Sequence, residues 1–206
     1  MSMYIEIIIA IAIGYLLGSI PFALVIGKVF YNTDVRQHGS GNLGGSNTGR
    51  VLGSKAGAAV IAGDVLKVVV AIWITSTFKY SEMASIWAGL AAAFGHCYPI
   101  FAGFKGGKAV ATFGGFLVGI SIFSFHNAWF VIVPLAVFLG VLYAGKMVAL
   151  ASICATIVST IQIFISVEST AVQVASLLLT ILIIYRHRAN IDRIRKGCET
   201  KITWMG

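Results

Sequence analysis

The sequence predicts an all-α protein, a polytopic bundle of about seven membrane-spanning helices. Of its 206 residues, 58% are hydrophobic and only 11% are charged, and the mean hydropathy is +0.93. A chain this apolar cannot present a water-facing surface over most of its length. The apolar residues also fall into runs close to the roughly 20 residues that a helix needs to cross a bilayer. Because no soluble domain fits between the runs, we expect residues 1–206 to form a single transmembrane domain.

Seven apolar runs are the candidate spans. They are approximately Tyr4–Val29, Gly53–Thr77, Met83–Ala102, Ala109–Phe125, Ala128–Ala144, Val148–Val167 and Ala171–Ile184. The first run is too long for a cleavable signal peptide, and Glu6 stands where such a peptide would carry basic residues. The fourth, fifth and seventh runs are short, so we expect these helices to be tilted, partly interfacial or re-entrant.

The positions of Lys and Arg predict the orientation. If seven spans alternate, nearly all basic residues outside the spans fall on one side of the membrane, and Lys79 falls on the other. The positive-inside rule makes the basic side cytoplasmic. With an odd number of spans, the N-terminus is outside and the C-terminus is in the cytoplasm.

The first polar loop, Asp34–Arg50, contains the sequence GSGNLGGSNTGR. Its glycines allow turns in which successive N–H groups converge on one point, which is how a loop cradles an anion. Neutral donors and Arg50, which can offer two parallel donors to a phosphate, strengthen this interpretation. The alternative is a flexible turn between helices, since glycine, serine and asparagine are common in loops.

Two further polar segments lie on the same predicted face. In Gly95–Thr112, the glycines and lysine of Gly106–Lys108 precede a predicted helix, whose unpaired N–H groups favour anions. The tail Tyr185–Glu199 is basic and amphipathic, and its alternative interpretation is an interfacial helix among lipid head groups. We therefore expect a cytoplasmic anion site.

Several polar residues lie within the spans or at their ends. Asp64 and Lys67 share a helical face, and we interpret them as an intrahelical pair that braces the first loop, although buried charges in membranes are also candidates for function. Pro21 permits a kink in the first span. His96 either braces the segment around Lys105 or touches substrate.

Two nucleotide-binding motifs are matched only in part. Gly39, Gly41 and Gly44 have the spacing of a dinucleotide fingerprint, but membrane spans flank them instead of a strand and a helix. Ala109 stands where a P-loop has the hydroxyl that holds magnesium. We therefore expect no cofactor, no metal and no bound nucleotide, and so little water-soluble chain argues against nucleic acid as a partner.

Taken together, the polar segments resemble the bacterial membrane glycerol-3-phosphate acyltransferases that use acyl phosphate, the PlsY type. The segments are GSIPFALVIGK at Gly18–Lys28, DVRQHGSGNLGGSNTGRVLG at Asp34–Gly53, Asp64 with Lys67, GHCYPIFAGFKGGKAVAT at Gly95–Thr112, Leu150–Ser152, and YRHRANIDRIRKGCE at Tyr185–Glu199. The family usually has Ala-Thr where this chain has Gly45–Ser46, and Gly where it has Ala109. It also has an Arg-Tyr pair and a later Ser where this chain has Lys146–Met147 and Ala149.

The resemblance implies acyl transfer from a fatty acyl phosphate to the 1-hydroxyl of sn-glycerol 3-phosphate. The products would be lysophosphatidic acid and phosphate, in the first step of phospholipid synthesis. It implies a place in the bacterial inner membrane, an active site on the cytoplasmic face, and work alongside the enzyme that supplies acyl phosphate. Acyl phosphate has a good leaving group, so positioning and charge stabilisation can supply most of the rate without a metal.

The family pattern also suggests roles for individual residues. The catalytic candidates are His187, Asn190, Ser40 and Lys108. The candidates for binding substrate phosphates are Gly39, Ser40, Gly41, Asn42, Gly44, Asn47, Arg50, Lys105, Gly106, Gly107, Lys108, Thr112, Ser152, His187 and Arg188. His187 has the pKa range of a general base, but the donor phosphate could take the proton instead.

The competing interpretation is a transporter or channel for a phosphorylated solute that uses the same glycine segments. Many transporters show an inverted repeat, which this sequence lacks. Few ionisable residues could line a path to the outer face. An enzyme consumes glycerol 3-phosphate whereas a transporter leaves it unchanged, so product analysis separates the two.

Overall fold

A computed structural model describes residues 2–77 and 81–202, and within these residues the chain is helical without strands. The helices are α1 Met3–Gly18, α2 Phe22–Tyr31, α3 Gly45–Leu52, α4 Ser54–Thr77, α5 Glu82–Cys97, α6 Val110–Phe123, α7 Trp129–Gly145, α8 Val148–Ser166, α9 Thr170–Arg186 and α10 Arg188–Arg195. Short 3₁₀ turns cover Val35–Gln37 and Ile100–Ala102. The predicted all-α class is confirmed, while Lys79 lies outside the described residues.

Helix length and composition identify three candidate spans in the described part of the chain: Met3–Tyr31, α4 and α8. A fourth is reached if α9 and α10, which meet at a bend of 57°, are counted as one span. Helices α6 and α7 are apolar but shorter. The count of seven spans and the orientation therefore stay predictions.

The first candidate span is broken between α1 and α2. Ser19 ends α1, and Pro21 has no N–H with which to continue the helical hydrogen-bond pattern. Before the break, α1 packs backbone to backbone against α5. A Cβ added to Gly14 or Gly18 would overlap the main chain of Ala88 or Ala92, respectively. Small residues at such contacts allow the close approach that membrane helices use for packing.

The main apolar core lies between α4, α5, α6, α8 and α9. Its large, fully buried side chains include Ile72, Phe116, Ile120, Ile163 and Leu179. Large apolar side chains also remain exposed on the outer faces of the bundle, as expected where lipid rather than water surrounds the protein.

The structure corrects the sequence interpretation of the first polar segment, which is not a loop throughout. Its second half folds as α3, although glycine has low helix propensity. Leu43 and Leu52 pack in a small apolar cluster with Leu24 and Val60, and this burial offsets the weak propensity of the glycines.

Candidate active site

The first glycine segment is shaped by the buried side chain of Asn47, on α3. Its Oδ1 accepts hydrogen bonds from the amide (2.8 Å) and the hydroxyl (3.2 Å) of Ser40. Its Nδ2 donates to the carbonyls of Val35 (3.1 Å) and His38 (3.3 Å). Gly39 has a φ of +59°, and a Cβ there would overlap Asn47 Oδ1. Because both amide hydrogens of Asn47 are engaged, the structure places this side chain as a support of the segment.

The basic residues at the two ends of this segment differ in their partners. Arg36 binds Asp34 through a 2.6 Å contact between Nη2 and Oδ2, and Lys28 Nζ lies 3.7 Å from the same oxygen. The hydrogen bond from Arg36 holds the pKa of Asp34 well below its usual range. Arg50, in the last turn of α3, is exposed, and among residues 2–77 and 81–202 its guanidinium has no hydrogen-bond partner. Arg50 is therefore the basic residue of this segment that remains available for an anion.

Three polar segments meet at Gly106 and Gly107. Arg186, at the end of α9, donates to both carbonyls: Nη2 to Gly106 at 3.0 Å and Nε to Gly107 at 3.0 Å. Asn42 Nδ2 donates to the Gly106 carbonyl at 3.3 Å, so its amide joins the two glycine segments. The Arg186 guanidinium also lies 5.2 Å from the centroid of the Tyr98 ring.

Arg186 was not among the residues that the sequence pattern predicted for the site. The available signal was its position, since a basic residue in the last turn of a helix is well placed to bond free carbonyls. The carbonyls it reaches belong to another segment of the chain, which a local pattern does not reveal.

Lys108 connects the second glycine segment to the tail. Its Nζ donates to Asn190 Oδ1 at 2.5 Å, and Asn190 Nδ2 donates in turn to Glu199 Oε1 at 2.6 Å. Glu199 Oε2 accepts from Arg193 Nε at 2.7 Å, and the Glu199 side chain is only 6% exposed. Glu199 is a second residue that the sequence analysis left without a role. It fixes the Asn190 amide so that the oxygen faces Lys108.

The electrostatic surroundings of Lys108 are strongly positive. Burial lowers its pKa, and the nearby charges of Arg193, Arg186 and Arg50 lower it further, while Glu199 opposes them. Basic residues from the first polar segment and the tail therefore act on the ammonium group of the second glycine segment. Such a concentration of positive charge favours an anionic ligand.

His187 lies at the junction of α9 and α10 and is 3% exposed. Its Nδ1 is 2.8 Å from the carbonyl of Ile183. A carbonyl only accepts, so Nδ1 carries the proton and Nε2 holds a lone pair in the neutral ring. Burial lowers the pKa of His187 to about 4, and the charges of Lys108 and Arg186 act in the same direction. At pH 7 His187 is therefore neutral and can accept a proton at Nε2.

The remaining predicted residues differ in burial and in whether their side chains are already hydrogen-bonded. Ser152 is buried in the first turn of α8, where its hydroxyl donates to Val148 at 2.8 Å. Thr112 is fully buried and donates to Ala109 at 3.0 Å, so its hydroxyl is engaged within α6. Arg188 and Lys105 are exposed. Contact of any of these residues with substrate stays a prediction.

An apolar groove of about 720 Å³ lies beside the polar centre, between α1, α5 and α9. Its lining includes Tyr15, Trp87, Ala91, Leu178 and Tyr185. Tyr185 directly precedes Arg186 in the chain, so the groove leads to the point where the glycine segments are held. A polar, positively charged centre and an apolar slot are thus adjacent.

The fold and the site together define a polytopic membrane protein equipped for a ligand with both a phosphate and an apolar chain. The family model described as "Glycerol-3-phosphate acyltransferase" matches residues 8–197. The chain is 46% identical over 194 residues to the "Glycerol-3-phosphate acyltransferase" of Geobacillus kaustophilus, covering 94% of this chain and 95% of that protein. It is 45% identical over 199 residues to the Bacillus subtilis protein of the same name, covering 97% and 99%.

Two solved structures share the fold. The crystal structure of PlsY, "an integral membrane glycerol 3-phosphate acyltransferase", in its glycerol 3-phosphate form has a TM-score of 0.87 and 37% identity, covering 96% of each chain. The lysophosphatidic acid form of PlsY has a TM-score of 0.85 and 36% identity, covering 96% of this chain and 95% of that one. The chain belongs to the glycerol-3-phosphate acyltransferase family and is of the PlsY type.

Proposed function

We propose that this protein transfers a fatty acyl group from acyl phosphate to the 1-hydroxyl of sn-glycerol 3-phosphate. The products are lysophosphatidic acid and phosphate. The observation that carries this proposal is the meeting of both glycine segments, Lys108 and the tail at one positively charged centre beside an apolar groove. The neighbouring PlsY structures in glycerol 3-phosphate and lysophosphatidic acid forms support the same acceptor and product.

The basic groups supply the phosphate contacts. Lys108 lies next to Ala109, the N-cap of α6, where free N–H groups and the helix dipole also favour an anion. The guanidinium of Arg50, which has no hydrogen-bond partner in the described part of the chain, matches the geometry of a phosphate. The Ser40 hydroxyl donates to Asn47 Oδ1 through the longer of its two bonds, 3.2 Å, and turns from Asn47 to donate to a bound phosphate at the edge of the first glycine segment.

The chemical step is a direct displacement at the acyl carbon. The glycerol oxygen forms a bond to the acyl carbon, the bond from that carbon to the phosphate oxygen breaks, and phosphate leaves with the bonding electrons. Lys108 and Arg50 stabilise the negative charge on the carbonyl oxygen and on the leaving phosphate. The hydroxyl proton passes to His187 Nε2, or to the donor phosphate as the alternative acceptor.

The acyl chain occupies the groove between α1, α5 and α9. In this arrangement the reacting carbonyl lies near Tyr185 and Arg186, where the groove meets the polar centre. The polar centre faces the cytoplasm of a bacterium, where glycerol 3-phosphate is dissolved. The enzyme that makes acyl phosphate supplies the donor on the same side.

The test is phosphate release by the purified, detergent-solubilised protein given palmitoyl phosphate, with and without glycerol 3-phosphate, in EDTA. We expect release that requires glycerol 3-phosphate, yields lysophosphatidic acid and is lost in Arg50→Ala and Lys108→Ala. Lys201→Ala, which removes an exposed basic residue near the end of the chain, is the matched control and should retain activity. Uptake of unchanged glycerol 3-phosphate by proteoliposomes, without turnover, would instead support the transporter.

A further inference from the structure

Three ionisable residues form a buried cluster behind the second glycine segment: Asp64 and Lys67 of α4, and His96 in the last turn of α5. The side chains of Asp64 and Lys67 are each 2% exposed, and that of His96 is 6% exposed. The predicted intrahelical pair is confirmed, with 2.7 Å between Lys67 Nζ and Asp64 Oδ1. The position of His96 shows that the pair extends to a second helix.

Lys67 and Asp64 together hold one edge of the His96 ring. Lys67 Nζ lies 3.0 Å from the carbonyl of Ile20, 2.7 Å from Asp64 Oδ1 and 3.0 Å from His96 Nδ1. His96 Nδ1 also lies 3.3 Å from Asp64 Oδ1. Both charged side chains of α4 therefore hold this edge of the His96 ring, whichever ring nitrogen carries the proton. The Ile20 carbonyl belongs to the break in the first span, so Lys67 also holds that break.

The far side of the His96 ring faces Gly107. A Cβ added to Gly107 would overlap the ring at Nε2, and a Cβ added to Gly106 would overlap the His96 carbonyl. The Gly107 amide also donates to that carbonyl at 3.0 Å. Arg186 and Asn42 hold the two glycine carbonyls. The glycine pair is therefore packed against His96 while its carbonyls are bound by other segments.

We propose that Asp64, Lys67 and His96 are positioning residues for phosphate binding. The Lys67 ammonium fixes the His96 ring, and the ring sets the position of Gly106 and Gly107 and hence of the adjacent Lys108. None of the three touches substrate in this arrangement. The inference rests on the proposed function for its kinetic consequences, but the positioning itself is a property of the protein without substrate.

A role in holding two helices together would not by itself require this arrangement. Asp64 and Lys67 lie on one helix and already satisfy each other's charge. Asp64 Oδ2 is buried without a hydrogen-bond partner among the described residues. A cluster whose role was only to join helices would be expected to bond this oxygen as well. The histidine is the member that extends the cluster to the glycine pair.

The first variant is His96→Asn. The asparagine Oδ1 can replace Nδ1 as an acceptor for Lys67, so no ammonium is left unpaired, but the part of the ring that contacts Gly107 is lost. A misplacement of about 1 Å in an active site can cost about 10²-fold in rate. We expect kcat/KM to fall by about tenfold or more, mainly through a higher KM for a phosphorylated substrate.

Gly107→Ala tests the contact from the other side. Alone, its Cβ meets the His96 ring, and we expect a comparable loss of kcat/KM. In the double variant His96→Asn/Gly107→Ala, the methyl group has the space that the ring vacated. The combined loss should therefore be smaller than the product of the two single losses. Thr75→Val is the control, because Thr75 is buried in α4, the helix of Asp64 and Lys67, and among the described residues its hydroxyl bonds only to Ala71 and Ile72.

Hydrogen exchange gives a readout that needs no turnover. In His96→Asn, we expect faster exchange of the Gly107 amide, followed in a peptide that covers residues 105–108, and no change in Thr75→Val. The inference would be overturned if Gly107 exchange were unchanged in His96→Asn, or if kcat and KM were unchanged in a monodisperse sample of that variant. It would also be overturned if the two single losses multiplied in the double variant. If His96→Asn does not fold, the same criteria apply to His96→Gln. If the unsubstituted protein showed no turnover, the proposed function would be refuted. The positioning role would then be decided by hydrogen exchange alone.

Discussion

Arg186→Lys isolates the geometric contribution of the residue that holds the second glycine segment. The guanidinium reaches two carbonyls at once, Gly106 and Gly107, each at 3.0 Å. Lysine keeps the positive charge but is a compact donor that cannot reproduce two parallel bonds in fixed geometry. The long-range attraction for a phosphate is thus retained while the glycine pair loses one of its two bonds to α9.

The expected cost follows from the strength of that bond. A hydrogen bond from a charged donor contributes about 1.5–3 kcal/mol. If this support is needed in the transition state, the loss corresponds to a fall of about tenfold to 150-fold in kcat/KM, at about 1.4 kcal/mol for each factor of ten. The packing on Tyr98 can persist, since an ammonium is also attracted to an aromatic face.

The assay is steady-state turnover of palmitoyl phosphate with glycerol 3-phosphate, with thermal unfolding in detergent to confirm the fold. Arg195→Lys is the matched control, because Arg195 is an exposed arginine in the last turn of α10 that is not among the residues proposed to bind phosphate. It should change kcat/KM by less than about threefold. An Arg186→Lys protein that turns over within about twofold of the unsubstituted protein would refute the argument that bond geometry, and not charge, holds the segment.

Two further predictions concern pH and acyl-chain length. His187 is neutral in the folded state down to its pKa of about 4, whereas an unfolded histidine binds a proton below about 6.5. Stability should therefore be lost as pH falls from about 6.5 towards 4. In thermal melts without substrate, this loss should be smaller in His187→Gln than in the unsubstituted protein, because the contribution of His187 has been removed. Ala91→Trp should fill part of the groove beside Trp87 and shift the preference towards shorter acyl phosphates, measured as the ratio of kcat/KM for dodecanoyl and palmitoyl phosphate. If a folded Ala91→Trp variant kept the same ratio of kcat/KM values, the acyl chain would have to bind outside this groove.

The sequence was informative wherever function depends on a local pattern. Apolar runs predicted the helical class, and the three-residue spacing of Asp64 and Lys67 predicted their pairing on one face. The glycine-rich composition also identified the segments that meet at the polar centre. In each case the relevant neighbours are close in the chain, so helix geometry or backbone freedom is enough to predict them.

Contacts between distant segments were not predictable in the same way. Lys108 meets Asn190 and Arg186 meets Gly107 only because α9 packs beside α5 and returns the tail to the second glycine segment. The helix α3 was also missed, because its glycines argue for a loop and its stability comes from the burial of Leu52. His96 was left between bracing and substrate contact, and its packing against Gly107 favours bracing.

The apolar groove is half open along the flanks of α1 and α9, where Ile11 and Leu178 are 40% and 43% exposed. If it takes the acyl chain, the donor enters by lateral diffusion within the bilayer and does not have to leave the membrane. Its effective concentration is then a mole fraction among lipids, so turnover should fall when inert lipid or detergent dilutes the donor at constant bulk concentration. Glycerol 3-phosphate, which is dissolved in water, should show no such surface dilution.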